Sequence, residues 1–248
     1  MTRYRMTLEY DGGPFVGWQR QENGASVQAA VEEAVFGFSG ERATVFAAGR
    51  TDAGVHALGQ VAHVDLAKET DAFRVTEAVN YHLKPNPIAV VECAAVADDF
   101  HARFSAVERR YLYRIANRRA PLTLDRGQAW LVGRRLDVDA MHEGARHLVG
   151  HHDFSSFRAA ECQADSPVRT MTELTVSRHG EEVEIYARAP SFLHHQIRNI
   201  AGSLVEVGAG KRGPEWIRKV LAARDRKIAG PTAPPGGLYL LAVRYPDD

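Results

Sequence analysis

The pattern of apolar and polar residues predicts a chain in which short strands and helices alternate. Runs with strand-like patterning cover residues 4–10, 61–66, 88–96, 111–116, 173–177, 183–188 and 238–245. Runs with helical periodicity cover residues 27–38, 76–83, 139–149, 192–207 and 215–223. Ser26 and Pro214 precede two of these helical runs, where both residue types favour the start of a helix.

The order of these elements predicts an α+β fold with two similar halves. A series of strand, helix, strands, helix and strand is followed by roughly the same series again. We therefore expect two antiparallel sheets, each backed by helices, in residues 1–104 and 105–248. A Pro/Gly-rich loop, AGPTAPPGG at 229–237, leads into the final strand.

Composition places the chain among ordinary globular proteins and sets few limits on its partners. Of its 248 residues, 45% are hydrophobic and 25% are charged, and the formal net charge is zero. Cys93 and Cys162 are the only cysteines, too few for a disulfide framework or a Cys-rich zinc site. Since the N-terminal residues lack an apolar run and no stretch approaches the ~18 apolar residues of a membrane helix, we expect a cytoplasmic protein.

Two motifs resemble cofactor or metal sites but stand in the wrong context. The segment GAGKRG at 208–213 matches GxGxxG, but it follows a predicted helix, where glycines commonly end helices. His142, Glu143 and His147 are spaced one residue too widely for the HExxH arrangement. Neither a dinucleotide site nor a metal site is therefore expected.

The segment between Gly49 and Gly54 carries the strongest candidate chemistry. It places Arg50 and Asp52 in a short loop after an apolar stretch. Glycines permit a tight turn that exposes a carboxylate, and a nearby cation favours its ionised form. The residues alone leave two interpretations open, a functional site on a loop or a surface turn with a local ion pair.

Six blocks along the chain resemble the tRNA pseudouridine synthase A family. They are YDG at 10–12 with GWQRQ at 17–21, GRTDAGVHALGQVAHVD at 49–65, FHARFS at 100–105 with RRYLYR at 109–114, DFSSFR at 153–158, FLHH at 192–195 with RNI at 198–200, and GLYL at 237–240. The blocks stand in the family's order. The departures are Gln196, where the family usually has methionine, and KPNP at 84–87, one residue longer than the usual turn.

The resemblance implies isomerisation of uridine to pseudouridine in the anticodon stem-loop of tRNA, at positions 38, 39 and 40, without cofactor or metal. It assigns Asp52 as the essential carboxylate, with Arg50 and Arg198 as cations around it and Tyr111 as the active-site tyrosine. It implies a homodimer and an active-site cleft between the two halves, the first carrying the Asp loop and the second the tyrosine and arginine. His56 and Leu238, which lie in matching blocks, are expected to bind substrate.

A basic stretch at 103–119 is expected to bind RNA. It holds six arginines against one glutamate, a net charge of +5, and includes Phe104, Tyr111 and Tyr113. Basic and aromatic residues together suit a folded RNA, which is bound through phosphates and stacked bases. The hypothesis is that Arg109, Arg110 and Arg114 contact phosphates. For Tyr113, ordinary packing in the sheet core is a serious competing interpretation.

Two other functions fit parts of the sequence. A non-catalytic RNA-binding module would need the basic stretch but no carboxylate in the loop. A small hydrolase would need two acids with separate roles, Asp52 and Asp65 being the available pair. Release of tritium from tRNA labelled at uridine C5 separates the three functions.

Overall fold

The computed structural model describes residues 1–22 and 24–246 and shows a mixed α+β protein. The strands are β1 (Thr2–Tyr10), β2 (Phe46–Ala47), β3 (His56–Leu66), β4 (Ile88–Val96), β5 (Glu108–Ala116), β6 (Trp130–Leu131), β7 (Gly150–Asp153), β8 (Val168–Met171), β9 (Glu173–His179), β10 (Glu182–Ala189) and β11 (Leu238–Arg244). The helices are α1 (Val27–Ser39), α2 (Ala72–Leu83), α3 (Val138–Arg146), α4 (Gln196–Gly208) and α5 (Glu215–Ala223). No helix in the described part of the chain has the length and apolar character needed to cross a membrane.

The chain forms two compact units. Unit 1 comprises Met1–Val107 with the described part of Leu240–Asp248, and unit 2 comprises Glu108–Tyr239. The sequence prediction assigned all of 105–248 to one half, whereas most of β11 belongs to unit 1. Within unit 1, β11 is hydrogen-bonded to β3.

Unit 1 contains a sheet and two helices, and β1 pairs antiparallel with both β3 and β4. Its strand order is β4-β1-β3-β11, and β2 adds to β3. Alternate residues of β1 are buried, which gives this strand one core face carrying Tyr4, Met6, Leu8 and Tyr10. Helix α2 packs against β4 and α1 packs against α2. Ser26 caps α1 as predicted, since its hydroxyl accepts a hydrogen bond from the Ala29 amide.

Unit 2 contains the antiparallel strands β5-β10-β9, with β6 parallel to β5 and a separate β7–β8 hairpin. Helix α3 packs against β9, α4 and α5. Pro214 stands at the N-cap of α5, in agreement with its expected position at a helix start.

Three predicted helices have different bounds in the structure: α2 begins at Ala72 rather than 76, α3 ends at Arg146 rather than 149, and the bounds of α4 differ at its start. Helix α4 begins at Gln196 rather than 192, because His195 adopts a left-handed backbone conformation (φ 59°) that interrupts the helix. A helix over 192–207 would place His194 and Arg198 one turn apart on the same face, but His194 precedes the helix. Leu193, Ile197, Ile200 and Leu204 would form one apolar stripe on such a helix, whereas burial extends over nearly the whole circumference of α4. The glycines after this helix do end it, since Gly208 is its last residue and Gly210 has φ 71°.

Candidate active site

The Asp52 loop, residues 49–54, lies between the short strand β2 and the start of β3. Arg50 is exposed, Asp52 is half-buried and Thr51 is buried. The Val55 amide donates to the Asp52 carbonyl oxygen at 3.1 Å, and Gly54 between them has φ 75°. A non-glycine side chain would strain the backbone at this position, so Gly54 is required for the turn that presents Asp52.

A network of buried polar side chains holds the Asp52 loop on the side that faces the core of unit 1. The hydroxyl groups of Tyr10 and Thr51 lie 2.8 Å apart, and the Gln60 side-chain amide donates to the Gly49 carbonyl oxygen at 2.7 Å. Gln60 is fully buried and also reaches the Tyr10 hydroxyl at 3.4 Å. Burial raises the pKa of Tyr10 to about 12, while its hydrogen bonds to Thr51 and Gln60 act in the opposite direction. The residues on both sides of Arg50 are therefore fixed by neutral hydrogen bonds.

Close backbone contact with the segment 12–18 holds the other side of the loop. The Trp18 amide donates to the Thr51 carbonyl oxygen at 3.0 Å, and the Gly54 amide donates to the Phe15 carbonyl oxygen at 3.3 Å. A Cβ atom on Gly17 would lie 2.7 Å from the Thr51 oxygen, and one on Gly12 would lie 1.9 Å from the Val55 oxygen. Because these glycines lack a side chain, the segment 12–18 can lie directly against the Asp52 loop. The sequence block at 10–21 and the block at 49–65 therefore form one structural feature.

His56, predicted to bind substrate, is almost fully buried at the start of β3, with 3% of its surface exposed. Its Nδ1 lies 3.1 Å from the Gly12 amide nitrogen and 3.1 Å from an Asp11 carboxylate oxygen. The ring therefore helps to join the first sequence block to the loop. Its role toward substrate stays a prediction.

Tyr111 and Tyr113, two residues apart on β5, have different surroundings in unit 2. Tyr113 is fully buried and its hydroxyl donates to the Pro234 carbonyl oxygen at 2.7 Å, while burial raises its pKa. Tyr111 is half-buried and meets Phe192 edge to face at 5.0 Å. Core packing accounts for Tyr113, and Tyr111 retains the accessibility that stacking on a base requires.

Arg198 is half-buried on α4, not on a solvated helix face. Its Nε donates to the Ala233 carbonyl oxygen at 2.8 Å, and the Ala233 amide donates to the Arg198 carbonyl oxygen at 3.1 Å. These two contacts fix the base of the side chain against the loop that precedes β11. Leu238, which follows this loop, is buried with 6% of its surface exposed.

The three arginines of β5 have partners within unit 2. Arg109 donates to the Pro190 carbonyl oxygen at 2.8 Å and Arg110 pairs with Glu108 at 2.7 Å. Arg114 makes a two-point ion pair with Glu182, which raises its pKa above the ordinary value. The net charge counted along the sequence therefore overstates the local field. Contact with RNA phosphates stays a prediction for these residues.

Asp65, the second acid of the hydrolase alternative, is occupied by an ion pair. Both of its carboxylate oxygens accept hydrogen bonds from Arg3 at 2.7 Å. These bonds lower the Asp65 pKa, although burial acts in the opposite direction. Because an ionised carboxylate cannot donate a proton, Asp65 is unsuited to the role of general acid.

Sequence reasoning missed the residues that support the loop. It identified Asp52 but gave no role to Tyr10, Thr51 or Gln60. The available signal was Gln60 itself, an uncharged polar residue near the start of an apolar strand, since a buried amide needs partners. The sequence also suggested Gly49 as a conformational requirement, but a Cβ atom at this position would meet no other atom within 4 Å.

Comparison with known proteins gives a consistent family assignment. The model of a family described as tRNA pseudouridine synthase matches residues 6–105 and 145–246. The matched segments contain Asp52, Arg50, His56, Arg198 and Leu238, whereas Tyr111 and the three β5 arginines lie between them.

Curated relatives cover the chain almost completely. A tRNA pseudouridine synthase A from Rhodospirillum centenum is 60% identical over 245 residues, covering 99% of this chain and 100% of the relative. Proteins of the same name from Parvibaculum lavamentivorans and Paramagnetospirillum magneticum are 58% and 60% identical, over 99% of this chain and 100% and 96% of the relatives. The chain belongs to the tRNA pseudouridine synthase family.

Proposed function

We propose that this chain isomerises uridine to pseudouridine in the anticodon stem-loop of tRNA, with Asp52 as the catalytic carboxylate. The observation that carries the proposal is the Asp52 loop. A half-buried carboxylate stands on a tight turn that glycine contacts and buried neutral hydrogen bonds hold in place. Such preorganisation suits a group that must meet a reacting atom within a few tenths of an ångström.

The chemistry needs no external reactant. The N1–C1′ bond of uridine breaks, the uracil turns, and a new bond joins C5 to C1′. The proton of C5 is lost and N1 gains one, so every other atom stays in the product. Asp52 acts as a nucleophile or stabilises the positive charge that develops at the sugar.

The remaining site residues have roles that follow from their chemistry. Arg50 and Arg198 supply positive charge that binds the phosphate of the target nucleotide. Tyr111 stacks on the extruded uracil, and its hydroxyl is available for proton transfer. We assign substrate contacts also to His56 and Leu238, and RNA phosphate contacts to Arg109, Arg110 and Arg114.

The finer features are proposals of the same kind. Residues 1–104 would supply the carboxylate and residues 105–248 the tyrosine and Arg198, in two similar halves. The target uridines would be those at positions 38, 39 and 40. A cytoplasmic homodimer would be the active form, and light scattering that finds only fully active monomer at micromolar concentration would contradict the dimer.

The decisive experiment replaces Asp52 by asparagine. Asp52→Asn keeps the side-chain shape but removes its charge and nucleophilicity, so we expect normal folding, unchanged tRNA binding and no pseudouridine. Tritium release from tRNA labelled at uridine C5, measured in single turnover beside a binding curve, reports both properties. If the variant forms pseudouridine at more than about a tenth of the parent rate, the transition state has lost less than about 1.4 kcal/mol of stabilisation. That result would show that Asp52 is not essential.

A matched control uses another aspartate of unit 1. Asp71 caps α2, where its carboxylate accepts a hydrogen bond from the Arg74 amide at 2.8 Å. Asparagine caps helices about as well as aspartate. Asp71→Asn should therefore retain both binding and turnover, which separates loss of a particular carboxylate from loss of any surface charge.

A further inference from the structure

Four aromatic rings in unit 1 form a continuous row with an exposed phenylalanine at each end and a buried histidine within it. This aromatic ladder comprises Phe46, His63, His101 and Phe104. The ring centroids of Phe46 and His63 lie 5.2 Å apart, those of His63 and His101 4.7 Å, and those of His101 and Phe104 4.4 Å. Phe46 and His101 also meet at 5.8 Å, so each ring contacts at least one neighbour at packing distance.

Both ends of the ladder are open to solvent, and the Phe104 end is the more exposed. His63 is 2% exposed, whereas Phe46 is 47% and Phe104 is 75% exposed. Phe104 therefore leaves most of an aromatic face in water, although burying such a ring stabilises a fold by about 1.5–3 kcal/mol. A second ring, Phe46, is half-exposed in the same row. Both exposed rings contact His101 and so belong to one aromatic surface, and contiguous exposed apolar surface marks binding sites.

The turn that carries Phe104 is fixed by the histidines of the ladder. The Ala102 amide donates to His63 Nδ1 at 3.2 Å, and the Arg103 amide donates to His101 Nδ1 at 3.1 Å. The Ser105 amide closes the turn by donating to the His101 carbonyl oxygen at 2.9 Å. Because the backbone is already ordered, binding to this turn loses less conformational entropy than binding to a mobile loop.

A cation accompanies the exposed ring. The Arg103 guanidinium lies 5.6 Å from the centroid of Phe104, and Arg103 is itself exposed. An aromatic face beside an arginine matches the two parts of a nucleotide, since the ring stacks on the base and the guanidinium pairs with its phosphate. A protein–protein interface needs about 800 Å² on each partner, far more than one exposed ring and its half-exposed neighbour provide.

We propose that Phe104 and Arg103 form a stacking site for an unpaired nucleotide of the RNA substrate, additional to the target uridine. The proposal rests on the proposed function for its substrate class. It assigns Phe104 a role in RNA binding and no role in catalysis. The two histidines support the site from the core side, and Phe46 packs against both of them.

The test measures binding of an unstructured RNA, a fluorescein-labelled oligouridylate, to the full-length protein by anisotropy. Phe104→Ala should weaken binding about tenfold, because one stacked base is lost, and Phe104→Trp should restore it. Phe73→Ala is the control, since Phe73 on α2 is 73% exposed in the same unit. Arg103→Ala should lower the slope of log K against log salt by about 0.7, as expected for one phosphate contact to a single strand.

Two results would overturn the proposal. Phe104→Ala that binds the oligouridylate as tightly as Phe73→Ala would exclude stacking. Conversion of a dimer into a monomer by Phe104→Ala, seen by light scattering, would make this face an interface between copies. Failure of the proposed function is a separate result, because it would appear as pseudouridine formation by Asp52→Asn while the oligouridylate titrations still report on stacking.

Discussion

The Asp52 loop in unit 1 and strand β5 in unit 2 hold their charged residues in place by different means. Glycine contacts and buried neutral hydrogen bonds fix the loop, through Gly17, Tyr10 and Gln60. On strand β5, acids on the same or a neighbouring strand hold Arg110 and Arg114, as in the pair of Arg114 with Glu182. The first arrangement orients the backbone that carries a carboxylate by means of uncharged groups. The second arrangement stabilises the arginines but lowers the positive electrostatic potential that they produce at the protein surface.

This difference shows what a count of charges along the chain measures. Residues 103–119 contain a net +5 by sequence, but strand pairing brings β10, with its glutamates, alongside β5. Opposite charges on adjacent strands attract each other and screen their surroundings. The field available to RNA is therefore a property of the folded sheet rather than of the segment.

The largest effect is expected when the glycine support of the loop is removed. In Gly17→Ala the new Cβ would lie 2.7 Å from the Thr51 oxygen, at a position with φ 112°. Both the contact and the backbone angle are unfavourable, so we expect a loss of about 2–3 kcal/mol in unfolding free energy. Displacement of Asp52 should lower turnover about a hundredfold, since misplacement by about 1 Å has that effect. Urea unfolding and single-turnover kinetics measure the two quantities.

Gly49→Ala is the matched control in the same loop. A Cβ atom there meets nothing within 4 Å, and its φ lies outside the range that favours glycine. The unfolding free energy should change by less than about 0.5 kcal/mol. If Gly49→Ala and Gly17→Ala destabilise the protein equally, close contact with the segment 12–18 does not determine the position of the loop.

The second effect separates positioning from stability. Tyr10→Phe removes the hydroxyl that bonds Thr51, and Tyr4→Phe removes a hydroxyl that donates to the Thr70 carbonyl oxygen at 2.8 Å. Both tyrosines lie on the buried face of β1, so each variant should lose about 1 kcal/mol of stability. Only Tyr10→Phe should also lower kcat, by about tenfold, with little change in KM. Equal kcat values in the two variants would reduce the network to a purely structural role.

The sequence predicted much of the fold, and its errors have local causes. The predicted helix at 215–223 and strand at 88–96 match α5 and β4 residue for residue, because each pattern is uninterrupted. The short strands β2, β6, β7 and β8 were missed, since two to four residues carry too little periodicity to detect. The start of α4 was missed because a left-handed histidine leaves no trace in the apolar pattern.

For the site, motif matching found Asp52 but could not show what supports it. Tyr10 and Gln60 are 50 residues apart in sequence and meet only through the pairing of β1 with β3. Sequence also could not show that Arg114 is engaged by Glu182, 68 residues away. Contacts between distant residues depend on strand register, which composition and spacing do not specify.

The third effect concerns the arginines of β5. If they contact phosphates, alanine at Arg109, Arg110 or Arg114 should flatten the dependence of log K on log salt by about 0.7–0.9 per lost contact. Affinity for tRNA should fall only a few-fold for Arg114→Ala, because its pair with Glu182 already offsets part of the charge. Glu182→Gln should raise affinity by a similar factor.

Arg20→Ala, which breaks an exposed pair with Glu32 in unit 1, is the control. An unchanged salt slope in all three β5 variants would remove these residues from the RNA-binding surface.

The smallest effect appears only in acid and distinguishes neutral supports from ion pairs. His63 accepts a hydrogen bond from the Ala102 amide, and burial, with a smaller contribution from nearby His101, lowers its pKa from 6.5 to about 4. Between these two pH values the unfolded chain binds more protons than the native protein. The stability associated with His63 is therefore complete above pH 6.5 and decreases as the pH falls toward 4, with a slope of at most about 1.4 kcal/mol per pH unit.

His63→Asn offers an amide oxygen in place of Nδ1 and cannot titrate, so its unfolding free energy should depend less steeply on pH between 4 and 6.5. His82→Asn, at an exposed position on α2, should keep the parent slope. Urea unfolding at a series of pH values measures each slope, and parent-like acid sensitivity in His63→Asn would show that this histidine is not the titrating group.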